Sequence, residues 1–159
     1  MNPLFFKTPS HFRKWLEKNH DKQTEVIVAF YKVGSGKPSL TWSEAVDQAI
    51  CFGWIDSVRK SIDEHSYSNR FTPRKPKSNW SAINMAKVKA LTEQGLMHEA
   101  GLAAYQKRED ARTAIYSFEQ KKEDIKLDAT YEKLFKANKK AWKKFNDMPA
   151  WYKRTVLWI

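Results

Sequence analysis

The sequence predicts an α+β fold, with a small, mostly antiparallel sheet, packed helices and a C-terminal helical region. Two observations predict it: runs rich in β-branched and aromatic residues alternate with helical segments up to Pro73, and only helical spacing follows Ser78. The 159 residues, 42% hydrophobic and 14% aromatic, are enough to bury a core in one domain.

The first elements are a helix and a strand. In TPSHFRKWLEKNH, Thr8 is placed to cap a helix that has Pro9 at its first position. TEVIVAFYKVGSGKPSL predicts a strand from about Glu25 to Lys32. The glycines at Gly34 and Gly36 then predict a hairpin turn.

A second helix and two strands are predicted next. Thr41 and Glu44 have capping-box spacing at the start of TWSEAVDQAICFG, and Gly53 stands where a left-handed C-terminal glycine belongs. WIDSVRKSID and SYSNRFTPR predict the strands, of which the second ends at Pro73.

The remaining elements are predicted to be helical. One helix starts near Asn79 with Ser78 as its cap and ends at Gly95, and LMHEAGLAAYQKRED predicts a weak helix interrupted by Gly101. SFEQKKEDIKLDA is polar enough for a linker. We therefore expect an α+β domain over residues 1–120 and a helical region over 121–159, packed as one unit.

Charge and cysteine content limit the function classes. A formal charge of +11, from 29 Lys and Arg against 18 Asp and Glu, favours acidic partners, although solubility alone also explains it. The single cysteine, Cys51, excludes an intramolecular disulfide. Without a signal peptide or a long apolar run, the sequence predicts a cytoplasmic protein without a transmembrane segment.

The stretch RFTPRKPKSNWS carries the strongest candidate site. Its cations would surround a helix N-terminus at Ser78, where unpaired backbone N–H groups attract a phosphate or carboxylate. A solvated basic loop, with Trp80 packed in the core, is the structural alternative. The predicted ligand-binding residues are Trp54, Asp56, Arg70, Arg74, Lys77, Ser78, Asn79 and Trp80.

Catalytic and metal signals are weak. Asp56 is a candidate general base, but a structural pair with Arg59, Arg70 or Arg74 explains it equally simply. Acidic neighbours on the helix disfavour a Cys51 thiolate. The four histidines show no metal-ligand spacing and the glycines form no nucleotide loop, so we expect no metal and no cofactor.

Four motifs in order, EAVDQAICFGWIDS, RFTPRKPKSNWS, GLMHEAG and KKAWKKFNDMPAWYKRTVLWI, resemble the bacterial YdeI/OmpD-associated family, named for bacteriocin protection. The resemblance implies an N-terminal α+β domain, a helical OmpD-associated region, and no established activity or cofactor. Related chains continue into a further basic helix, so the resemblance also implies a short or shortened member.

The leading hypothesis is a non-enzymatic protein that binds a small anionic ligand bearing phosphate or carboxylate. By resemblance alone, its output would be bacteriocin, antimicrobial-peptide or stress tolerance. The first alternative is an enzyme acting on a small anionic metabolite with Asp56 as base. The second is nucleic-acid binding by the basic face.

Overall fold

The computed structural model describes residues 2–114 and 126–158, and this part of the chain confirms the α+β class. Its elements, in chain order, are β1 (Leu4–Phe5), α1 (Pro9–Asn19), β2 (Val26–Tyr31), α2 (Trp42–Cys51), β3 (Trp54–Ser61), β4 (Ser66–Pro73), α3 (Ala82–Glu93), α4 (Glu99–Gln106), a 3₁₀ turn (Asp110–Arg112), α5 (Ala129–Ala137), α6 (Lys139–Asn146) and α7 (Ala150–Trp158).

The four strands form one sheet in the order β1, β2, β4, β3. β1 runs parallel to β2, whereas β4 is antiparallel to both of its neighbours. The register of β3 against β4 shifts between Asp56 and Arg59. This bulge adds one residue to β3, so both side chains point to the same face although they are three positions apart.

The predicted hairpin at Gly34 and Gly36 is wrong. The turn exists, because the Ser35 N–H donates to the Lys32 carbonyl over 3.1 Å and both glycines have positive φ. The chain then enters α2, and β2 pairs with β4 instead of with β3, the next strand along the chain. Glycine permits a turn but does not determine which strand will pair.

The predicted starts of α1 and α2 are confirmed. The Thr8 side chain accepts from the His11 N–H, and Pro9 begins α1. Thr41 and Glu44 form the complete capping box of α2. In both helices a side-chain oxygen satisfies an N–H that the first turn leaves without a backbone partner.

The predicted cap of α3 is wrong, because Ser81 and not Ser78 caps this helix. The backbone of Trp80 is bound to a later segment: its N–H donates to the Arg112 carbonyl at 3.0 Å, and its carbonyl accepts from Ala114 at 2.8 Å. These bonds hold Trp80 in a bridge with Thr113, so the helix cannot begin before that position.

The core lies between one face of the sheet and the helices α1, α2 and α3. Phe12 of α1 meets Phe71 of β4 edge-on, with ring centroids 5.6 Å apart, and Trp54 contacts Trp15 in the same way at 5.9 Å. Phe12, Phe71 and Trp54 are at most 1% exposed. Burying one such side chain contributes about 1.5–3 kcal/mol, so these contacts fix α1 on the sheet.

Gly101 does not interrupt α4, which runs through it from Glu99 to Gln106. A Cβ at this position would lie 2.2 Å from the carbonyl oxygen of Cys51. The glycine is therefore required by the close approach of α4 to the end of α2. The sequence pattern identified a helix-weakening residue but could not show the neighbour that requires it.

The last three helices confirm the predicted helical region. Phe135 of α5 contacts Trp142 and Phe145 of α6, with ring centroids 5.5 and 5.2 Å away. The predicted linker and the boundary at residue 120 lie largely or wholly outside the described residues. Within the described ranges, no helix is both long and apolar enough to cross a membrane.

Candidate functional site

Two of the three cations of the predicted site, Arg70 and Arg74, contact other residues of the protein. Arg70 is exposed on β4, and its Nε and one terminal nitrogen each lie 2.6 Å from the same carboxylate oxygen of Glu25. The Arg74 guanidinium lies 3.6 Å from the ring centroid of Trp80 and donates to the Asn79 carbonyl at 3.0 Å. Lys77 is exposed. The Arg74 contacts stabilise the loop after β4, whereas the Arg70 pair joins β4 to the residue before β2.

The predicted apolar wall belongs to the core. Trp54 and Trp80 are each 1% exposed, and the Trp54 indole donates to the His20 carbonyl at 3.2 Å. Of the eight predicted residues, only Trp54 and Arg74 line a cleft of about 380 Å³ beside α4. The structure does not gather the eight residues around one cleft, and ligand binding by them stays a prediction.

Asp56 lies in a hydrogen-bond network rather than beside an open cavity. Its Oδ2 accepts from the Trp42 indole at 3.0 Å and from the Asn69 amide at 3.3 Å. It forms no ion pair with Arg59 or Arg70. It lines neither the cleft beside α4 nor a larger cleft at the end of β2. A carboxylate oxygen that already accepts two hydrogen bonds is a poor general base.

A larger cleft of about 820 Å³ opens at the end of β2. Residues 31–42, from the end of β2 to the start of α2, form one wall, and Arg59, Ser61 and Tyr67 form the other. Tyr67 stacks on the core residue Phe30 with ring centroids 5.3 Å apart. The cleft therefore lies where the helix-bearing face of the sheet continues past the packed core.

Arg59 is held in place from several sides. Its Nε donates to the Asn69 side-chain oxygen at 3.1 Å, and its guanidinium carbon lies 5.3 Å from the Trp42 ring and 4.7 Å from the Tyr67 ring. Trp42 and Asn69 also both donate to Asp56. Arg59, Asn69, Asp56 and Trp42 therefore form a closed ring of contacts. The β-bulge creates this arrangement by bringing Asp56 and Arg59 to one face.

Two lysines add positive charge to the cleft. The Lys37 ammonium lies 5.2 Å from the Tyr31 ring, and the Lys32 ammonium donates to the carbonyls of Asp63 and Glu64 at 3.2 and 3.0 Å. Neither these lysines nor Arg59 forms an ion pair with a described residue. No lining residue is acidic, so the side chains that line the cleft carry a net positive charge.

Sequence reasoning missed most of this site. It named Arg59 only as a partner for Asp56, and it gave Trp42 no role in a site. A bulge leaves no reliable pattern in one sequence, and the pairing of β2 with β4 depends on the whole sheet. The one available signal was the cluster of Lys32, Lys37 and turn glycines after a strand.

Cys51 is buried, and the histidines belong to no metal-binding group within the described part of the chain. Burial raises the pKa of the Cys51 thiol, with a smaller contribution from Asp47, while Arg13 acts in the opposite direction. The thiol is therefore kept neutral. The described residues contain no group of three or more His, Cys, Asp or Glu side chains placed to hold a metal ion.

A family model for a domain of unknown function, DUF8412, matches residues 4–104. That range is more than half of the 159 residues and contains the whole sheet and every residue that lines the larger cleft. No curated protein and no solved structure gives a significant match.

Proposed function

The chain belongs to the DUF8412 family, whose domain has no known function, and from that premise we propose that it binds a small anionic ligand in the larger cleft. The cleft of about 820 Å³ lies within the usual range of about 300–1,000 Å³ for small-molecule sites. The proposal keeps the predicted ligand class but moves the site from Ser78 to the walls that carry Lys37 and Arg59.

One observation carries the proposal: the cleft has three cations and no acidic side chain. Lys and Arg form short, charge-assisted hydrogen bonds with carboxylate and phosphate oxygens. The Arg59 guanidinium is already ordered by Asn69 and two rings, so a ligand would lose little further side-chain entropy on meeting it. An ordered arginine binds an oxyanion better than a mobile surface lysine does.

The geometry favours binding over catalysis. The Asp56 carboxylate is linked to Arg59 through two shared neighbours. Trp42 and Asn69 both donate to Asp56, and both also contact Arg59. The biological output proposed from the YdeI/OmpD-associated resemblance, stress or bacteriocin tolerance, would then depend on an anionic signal molecule. Nucleic-acid binding would use the general basic surface and would weaken steeply with salt.

Calorimetric titration with inorganic phosphate, citrate, tripolyphosphate and a mixed-sequence oligonucleotide tests this proposal. Arg59→Gln removes a cation from the cleft, and Lys60→Gln removes one from the adjacent position on the opposite face of β3. We expect at least one small anion to bind wild type and Lys60→Gln equally, and Arg59→Gln about tenfold more weakly. Equal loss in both variants, or binding of the oligonucleotide alone, would contradict the proposal.

A further inference from the structure

We propose that the ligand of the larger cleft is a compact, non-aromatic polyanion, with at least two phosphate or carboxylate groups. This inference rests on the proposed anion-binding function and adds the ligand class. It follows from counting which rings, hydroxyls and charged donors of the cleft are already used within the protein.

All three lining rings already contact a cation, since Arg59 lies against Trp42 and Tyr67 and Lys37 lies against Tyr31. Tyr67 contacts Phe30 on β2 and Arg59 on β3, and since β4 lies between these strands the contacts come from opposite sides. Tyr31 stacks on Phe5, with centroids 4.9 Å apart, and also carries the Lys37 ammonium. These rings hold cations in position and offer little surface for a ligand base or ring to stack on.

Most of the Ser and Thr hydroxyl groups that line the cleft are also used. Ser39 donates to the Leu40 carbonyl at 3.2 Å, Thr41 donates to the Glu44 carboxylate at 2.7 Å, and Ser61 donates to the Asp63 carbonyl at 3.4 Å. They are three of the four Ser and Thr residues that line the cleft. A ligand recognised mainly through Ser and Thr hydroxyls would therefore find few donors here.

Charged donors are what remains. The Lys37 ammonium has a ring contact but no hydrogen bond to a described residue, and the terminal nitrogens of Arg59 donate to none. Arg59 stands on the sheet and Lys37 on the opposing loop. Because the two cations lie on different walls, a ligand with separate oxyanion groups can give each of them its own charge-assisted hydrogen bonds.

Phosphate and carboxylate polyanions share this chemistry, and titration separates them. Tripolyphosphate and citrate are compared with orthophosphate and benzoate at constant ionic strength, by calorimetry on wild type. We expect tripolyphosphate or citrate to bind at least about tenfold more tightly than orthophosphate and benzoate. The stronger of the two polyanions identifies the source of the oxyanion groups.

Variants on each wall test whether both cations act. Arg59→Gln and Lys37→Gln should each weaken polyanion binding by about tenfold, whereas Lys60→Gln on the opposite face should leave it unchanged. Lys37 lies in an exposed turn, so its variant tests the inference even if Arg59→Gln fails to fold.

The outcomes separate this inference from the proposed function. Arg59-dependent binding of benzoate or orthophosphate with the affinity of the polyanions would overturn the ligand class and leave anion binding intact. Polyanion binding that is insensitive to Lys37→Gln would also overturn the inference. No binding of any of the four anions, or equal weakening by Lys60→Gln, would overturn both proposals.

Discussion

Arg59 and Asn69 lie directly opposite each other on β3 and β4, and the Arg59 Nε donates to the Asn69 side-chain oxygen over 3.1 Å. Asn69 is 2% exposed, and its amide nitrogen donates to Asp56. A buried amide with both ends engaged has one preferred orientation, so it fixes the direction of the arginine. The orientation of the cleft's main cation is thus set by the interior of the sheet.

The first prediction concerns this pair. Asn69→Ala removes the acceptor of Arg59 and one of the two described donors to Asp56. We expect the free energy of unfolding to fall by about 1–3 kcal/mol, because the buried Asn69 amide and its two hydrogen bonds are removed, and tripolyphosphate binding to weaken. Urea unfolding and calorimetry measure the two effects. Unchanged stability together with unchanged binding would show that Asn69 does not position Arg59.

The second prediction concerns the contact between α4 and α2. In Gly101→Ala, the added Cβ would lie 2.2 Å from a backbone oxygen of Cys51, which cannot move without shifting α2. We expect a loss of more than about 3 kcal/mol, measured by urea unfolding. Gly95→Ala is the control, since its Cβ meets nothing within 4 Å and only its φ of +68° costs about 1–2 kcal/mol. Equal losses would contradict the steric explanation.

The third prediction concerns Cys51. Burial raises the pKa of its thiol, so the thiolate that reacts with alkylating agents is scarce and inaccessible. Iodoacetamide at mildly alkaline pH should leave the folded protein unlabelled and label it fully in guanidinium chloride, as measured by intact mass. Rapid labelling of the folded protein would show that α2 opens at its C-terminus or that the thiol is activated.

The fourth prediction concerns acid pH at the turn between β3 and β4. The pKa of Asp63 is lowered, chiefly by the nearby Ser66 side chain and then by the His65 N–H, which donates to its carboxylate over 2.8 Å. A pKa below the unfolded value of about 3.9 gives stability that is present above that pH and is lost as the pH falls through the folded pKa. The contribution of Asp63 to stability should therefore decrease as the pH falls below about 4.

Asp63→Asn tests this prediction by removing the titrating group. The urea midpoint of the variant should fall less steeply than that of wild type when the pH is lowered from about 5 to about 3. Since Asp63 is exposed, the difference should be small. Parallel curves for the two proteins would show that Asp63 contributes nothing to acid sensitivity.

The sequence was sufficient where one local signal acts alone. The cap at Thr8, the capping box at Thr41 and the left-handed Gly53 each depend on neighbours within a few residues, and all three are confirmed. Ser78 was assigned wrongly as a cap because the backbone bonds of Trp80 to the segment after α4 delay the helix. That partner is more than thirty positions away, beyond the reach of capping rules.

The cleft needed the complete fold to be found. Its cations come from two segments that are separated in the sequence. Arg59 faces the wall that carries Lys37 only because of the bulge in β3. In the basic stretch of the predicted site, from Arg70 to Ser81, Arg70 pairs with Glu25 and Arg74 stacks on Trp80. Charge density in a sequence therefore did not indicate which cations remain available to a ligand.

The most direct test of the central claim uses the indole N–H signals of the seven tryptophans in a two-dimensional NMR titration with tripolyphosphate. Trp42 lines the larger cleft, whereas Trp54 and Trp80 belong to the site predicted from the sequence. We predict a saturating shift of the Trp42 signal while the Trp54 and Trp80 signals stay in place. Saturating shifts of Trp54 or Trp80 with an unmoved Trp42 would contradict the account.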